Sequence, residues 1–189
     1  MKNQVQTTII SSYLKELAEA YEKFPGVEVN KLASLLKGMP DDGTLYVIGN
    51  GGSATTAAHM VTDLGVGSLR RKNPVRCVSL VDNAGVMTAT SNDIDFSSVF
   101  SQQVKLLGRP GDILLCFSAS GNSANLIKAV EEAKKLEVLT VGITGFDGGV
   151  LKDICDISIH IPTQIGSYGV VEDVHLTISH ILTEVIRNA

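Results

Sequence analysis

The chain has 189 residues, 44% hydrophobic and 19% charged, with a net charge of −4 and an isoelectric point near 5.5. That mixture suits one folded domain with a full core and excludes a disordered chain. With no basic run longer than Arg70-Arg71-Lys72 it also excludes a nucleic-acid surface.

No apolar run approaches the length of a membrane span, and Met1 to Thr8 lacks the apolar stretch of a secretory leader. The expected location is the cytoplasm, with neither nucleic acid nor membrane as partner. Ile9, Ile10, Tyr13, Leu14, Leu17 and Tyr21 then form one stripe at helical spacing. Phe24-Pro25-Gly26 breaks that helix, and a second, short one follows from about Val29 to Leu36. Residues 1–40 thus read as an N-terminal helical extension, which can pack on its own sheet or against another subunit.

From residue 44 onward strands and helices alternate. Strand-like runs fall at 44–48, 75–81, 112–117, 138–143 and 157–161, with helical patterns at 53–64, 83–90, 96–107, 122–135 and 149–154. A last helix is expected from about Val170 to Arg187. Alternation of this kind specifies an α/β fold, a parallel sheet covered by helices on both faces. No linker divides residues 43–189, so 1–189 is expected to be a single domain. Cys77, Cys116 and Cys155 are odd in number, far apart and all in apolar strand-like segments, which predicts buried reduced thiols.

Two loops carry chemistry. Gly49-Asn50-Gly51-Gly52-Ser53 and Ser118-Ala119-Ser120-Gly121-Asn122-Ser123 each sit where a strand gives way to a helix. Glycine admits a ligand close to the backbone, while free N–H groups and the positive end of the next helix attract an anion. Serine hydroxyls add donors. Ordinary helix capping by Ser and Asn is the bland alternative, with Ser53 heading one helix and Ser120, Asn122 or Ser123 capping the other. Neither loop has the Gly-x-Gly-x-x-Gly spacing of a dinucleotide site or the Lys-Ser/Thr ending of a P-loop. A phosphate on a sugar is the expected ligand.

These loops, with Ala58-His59, Ser91-Asn92-Asp93, Thr144 to Gly149 and Glu172-Asp173-Val174-His175 leading to His180, resemble the sugar-isomerase (SIS) fold. Within it the chain is similar to the bacterial phosphoheptose isomerases, which act on sedoheptulose 7-phosphate, and the likeness spans nearly the whole sequence. The resemblance implies a five-stranded parallel sheet, a homotetramer with sites between subunits, and heptose biosynthesis as the setting. It implies that Asn50, Gly51, Gly52, Ser53, Ser118, Ala119, Ser120 and Ser123 bind substrate, the serines at the phosphate, with Asn50, Asn92 and Asp93 near the sugar hydroxyls. This chain departs from the family pattern at Asp63 (glutamate in the family), Glu172 (glutamine) and Gly67 (arginine).

His59 and Asp63 are one helical turn apart, and Glu172 and His180 read as sharing a face of the last helix, so two imidazoles and two carboxylates converge if the helices meet. Aldose–ketose isomerisation needs a base at carbon and an acid–base partner at oxygen. The resemblance assigns Asp63 and His180 to those roles, and Glu172 could take the proton instead. Some family members bind zinc with these residues, and His59, Asp63, Glu172 and His180 are a set that suits zinc. His175 and His160 are expected to be structural. The rival reading is a non-enzymatic SIS protein, either a scaffold like the replication-initiator-binding relatives or a phosphosugar-binding regulator.

Overall fold

Five parallel strands, β1 (Leu45–Ile48), β2 (Cys77–Ser79), β3 (Ile113–Ser118), β4 (Leu139–Thr144) and β5 (Ile157–His160), form one sheet in the order β2-β1-β3-β4-β5. The computed structural model describes residues 2–189, with side chains from residue 8 onward. Met1 and the side chains of residues 2–7, which carry part of the leader argument, lie outside the described residues. Chain order reverses between β1 and β3, and at such a switch point the loops after two adjacent strands part and leave a crevice. Those loops are the two glycine-and-serine segments.

Buried strands with helices on both faces need apolar side chains in both directions, and β3 has them: all six of its residues are buried. Leu45, Val47, Ile113, Leu115 and Phe117 point to one face, and Tyr46, Ile48, Leu114 and Cys116 to the other. The first face is covered by α2 (Gly26–Lys37), α3 (Gly52–Gly67) and α8 (Tyr168–Arg187), the second by α5 (Ser101–Leu107), α6 (Ala124–Lys135) and α7 (Gly149–Ile154). The remaining helices are α1 (Lys2–Glu22) and α4 (Ala84–Asp93).

Element boundaries differ from the sequence reading at several places, three of them with a visible physical reason. The segment 96–107 is split into a single 3-10 turn, Phe96–Ser98, and α5, because Asp95 is extended and its carboxylate accepts from the hydroxyls of Ser97 and Ser98. Edge strand β2 shrinks to three residues, since Val75 N–H is taken by Ser68 Oγ instead of the ladder. Cys155 follows α7 directly and is not in a strand, although burial still pushes its thiol up to about 12.

Helices α3 and α8 lie side by side and run in the same direction. Gly52 faces Glu172 at their N-terminal ends, His59 meets His180 two turns on, and Gly67 packs against Thr183 beyond that. A Cβ at Gly67 would stand 3.2 Å from the Thr183 methyl, close enough that the methyl would have to shift. Helix α1 docks on α8 through Tyr13–Asp173 (2.6 Å), Tyr21–Thr177 (2.8 Å) and Glu16–Ser167 (2.9 Å). Its Leu17 joins the core, while Ile9 and Ile10 stay more than 60% exposed.

Candidate functional site

The loops after β1 and β3 line one cavity of about 300 Å³ together with Phe117, Leu126, Tyr168 and Glu172. Asn50, Gly51, Gly52, Ser53, Ser118, Ala119, Ser120 and Ser123 all lie on its wall. Gly51 turns the chain into α3 with φ +54°, a left-handed conformation that favours glycine.

Capping would place a side-chain oxygen on the first N–H groups of α3 and α6. Neither helix has such a bond: Gly51 and Ser123 occupy the N-cap positions without one. Among the described residues nothing accepts from the N–H of Gly52, Ser53, Ala124 or Asn125. Unsatisfied donors at two helix starts beside one cavity are what an anion requires. Ser118 Oγ accepts from Gly121 N–H (3.0 Å) and Ser120 Oγ from Asn122 N–H (3.3 Å), so both hydroxyls still have a proton to donate.

Asn50 does something the sequence did not reveal. Its amide exchanges two hydrogen bonds of 2.9 Å with Asn125, which is buried at the start of α6. The pair clamps the first loop to the second and commits the Asn50 side chain to the protein. Tyr168 was also missed; it packs edge-on against Phe146, centroids 5.0 Å apart, and walls the cavity. A polar residue at the second position of a helix after a glycine-serine loop was the available signal for Asn125.

Farther along the α3–α8 seam, His59 Nε2 lies 3.0 Å from His180 Nε2 and 3.1 Å from Asp63 Oδ2, and His180 Nε2 lies 3.8 Å from the same oxygen. All three ligand atoms fall within 4.8 Å of one another, half-exposed. Zinc bonds of about 2.0–2.1 Å at the tetrahedral angle separate ligands by about 3.3–3.4 Å. The observed separations bracket that value, so these three donors fit a zinc ion with its fourth position open to a ligand.

Glu172 is not in that cluster. It sits two turns earlier in α8, on the cavity wall, where a Cβ added at Gly52 would collide with both of its carboxylate oxygens. The four-residue ligand set therefore divides into three donors together and a fourth carboxylate at the anion cavity. Asn92 and Asp93 end α4, exposed and bonded to each other at 2.9 Å, and do not line the cavity.

His175 is fully buried against Phe117, ring centroids 5.6 Å apart, and neither ring nitrogen has a hydrogen-bond partner. Burial lowers its pKa to about 4, and the Thr144 backbone pulls weakly the other way. It is a neutral core residue. His160 lies in β5 beside Thr144 Oγ1 (3.2 Å), lowered by burial and by the nearby Lys152 charge.

Residues 12–145 match the SIS domain family. The chain is 38% identical over 148 residues to a phosphoheptose isomerase of Rhodospirillum rubrum, covering 78% of this chain and 77% of that protein. It is 36% identical over 171 residues to a phosphoheptose isomerase of Laribacter hongkongensis, covering 88% and 86%. The solved structure of a phosphoheptose isomerase from Neisseria gonorrhoeae superposes with a TM-score of 0.88 over 100% of both chains, at 29% identity.

Proposed function

Because the chain belongs to the phosphoheptose isomerase family of SIS-domain proteins, we propose that it interconverts sedoheptulose 7-phosphate and D-glycero-D-manno-heptose 7-phosphate through an enediol. The observation that carries this reading is a distance. From Gly52 at the anion cavity to His59 in the cluster is seven residues of α3, a rise of about 10 Å. With carbon–carbon bonds near 1.5 Å, an extended heptose 7-phosphate has its C1–C2 end about 9 Å from phosphorus. Phosphate at the loops would bring the reacting carbons to the cluster.

In this reading Ser53, Ser118, Ser120 and Ser123, with the free N–H groups of the two helix starts, hold the phosphate. Asp63 uses only Oδ2 towards the imidazoles, which leaves Oδ1 to take a proton at carbon. His180 exchanges the proton between the two oxygens, as an imidazole can near neutral pH. Asp63 is one methylene shorter than glutamate, and Glu172 is the second base candidate. A bound zinc would supply polarisation of the substrate oxygens. His59, Asp63 and His180 would hold it, with Glu172 as a further ligand on rearrangement.

The reading extends to residues 1–189 as one domain in a cytoplasmic homotetramer, with the exposed Ile9 and Ile10 of α1 meeting a neighbouring subunit. Asn92 and Asp93 are then sugar contacts that a subunit boundary brings in. No helix among the described residues is long and apolar enough to cross a membrane. A non-enzymatic scaffold has no use for two imidazoles and a carboxylate gathered within 4.8 Å of one another near an anion cavity. Incubation with five-, six- and seven-carbon ketose phosphates, with and without zinc, tests the reading: aldose should form fastest from the seven-carbon substrate.

A further inference from the structure

An anion cavity ordinarily holds cations, yet among the described residues no Lys, Arg or His lines this one, and its single charged side chain is a carboxylate. Glu172 is half-buried and makes no hydrogen bond or ion pair among the described residues. Its oxygens lie against Gly52, at the start of α3, and the Gly52 N–H has no acceptor among the described residues. The charge reaches its neighbours too. Tyr13 is pushed up to about 12, first by its hydrogen bond to Asp173, with the Glu172 charge adding to it.

A carboxylate on the wall of an anion cavity repels a bound phosphate, at an effective dielectric near 20 by about tenfold or more. That is enough to cancel one or two hydrogen bonds from the loop serines. The compensation within reach is the His59–Asp63–His180 cluster, next along the same helix seam. Helical side chains lean towards the N-terminus, so the ligand atoms of His180 and Asp63 are displaced towards the Glu172 end of the seam.

We infer that Glu172 makes phosphate binding at the two loops conditional on a divalent cation in the His59–Asp63–His180 cluster. Without the cation the carboxylate opposes the anion; with it the negative charge is offset. An amide at this position carries no charge and would not oppose the anion. The inference rests on the loops being a phosphate site and the cluster a metal site. By linkage the effect is reciprocal, and phosphate must tighten the cation by the same factor.

The test is calorimetric titration of the full chain with inorganic phosphate, after chelator treatment and again with one equivalent of zinc, for wild type and Glu172→Gln. Wild type should bind phosphate at least about tenfold more tightly with zinc, and saturating phosphate should raise zinc affinity by the same factor. Without zinc, Glu172→Gln should bind phosphate about tenfold more tightly than wild type does. Equal wild-type affinities in the two states would overturn the inference, as would Glu172→Gln binding phosphate no more tightly than wild type in the absence of zinc, or a failure of zinc to bind. If Glu172→Gln does not fold, Glu172→Ala replaces it, and the wild-type comparison decides by itself. The isomerase reading is judged on substrate hydrogen exchange, which this titration does not touch, so the two can fail separately.

Discussion

His59 Nε2 and His180 Nε2 stand 3.0 Å apart, 121 residues distant in sequence, across two helices that run side by side in the same direction. One proton at most fits between them, so at least one imidazole is a neutral acceptor on that edge. Asp63 Oδ2 adds an acceptor 3.1 Å from His59. Lone pairs gathered in this way are stabilised by a shared proton or by a metal ion.

The metal alternative gives the first prediction. Protein purified without chelator should contain close to one zinc per chain, and His59→Gln or His180→Gln should lose it without loss of helix content. Elemental analysis with circular dichroism checks this. Absence of stoichiometric metal, with none taken up from added zinc, would contradict the cluster's assignment.

Ser123 is an N-cap residue with no side-chain cap bond, so its hydroxyl contributes nothing visible to the folded state. Ser123→Ala should weaken sugar-phosphate binding by about 1.5–3 kcal/mol, the value of a hydrogen bond to a charged group, and leave the melting temperature unchanged. Ser118→Ala should weaken binding and also loosen the loop, because Ser118 Oγ holds Gly121 N–H.

Much of this was legible in the chain. Alternating strand and helix patterns from residue 44 predicted the sheet, and glycine with serine after β1 and β3 marked the crevice, because an anion needs close backbone and free donors there. His59 and Asp63 were legible because a four-residue spacing keeps one helix face, and His180 through its pairing with Glu172 and the family resemblance. Glu172 and His180 were not resolved: eight residues are about 2.2 turns, far enough along and around α8 to part their side chains. The Asn50–Asn125 clamp was hidden because it joins two separate loops that only the sheet order makes neighbours.

That clamp predicts a split effect. Asn125→Ala leaves the half-buried Asn50 amide unpaired and should cost about 1–3 kcal/mol of stability. It should also raise KM for the sugar phosphate more than it lowers kcat, since the loop and not the cluster is disturbed. Urea unfolding and steady-state kinetics measure the two parts.

His175 sets a pH dependence. Its pKa is about 4 when folded and near 6.5 when unfolded, so the unfolded chain binds the extra proton first. Stability is unaffected above about pH 7, falls as pH drops through 6.5, and levels off below about 4, for a total of about 3 kcal/mol. His175→Leu should remove this component, and urea midpoints at pH 7.5, 5.5 and 4.5 should show a shallower decline than wild type.

The most direct test of the central claim is hydrogen exchange during turnover. Zinc-loaded protein with sedoheptulose 7-phosphate in deuterated water should form the aldose with deuterium at C2, followed by NMR. His180→Gln should slow this by about a hundredfold or more while still binding the sugar phosphate. Binding of the sugar phosphate with no aldose formed and no exchange at C1 of the ketose, under any metal condition, would contradict the account.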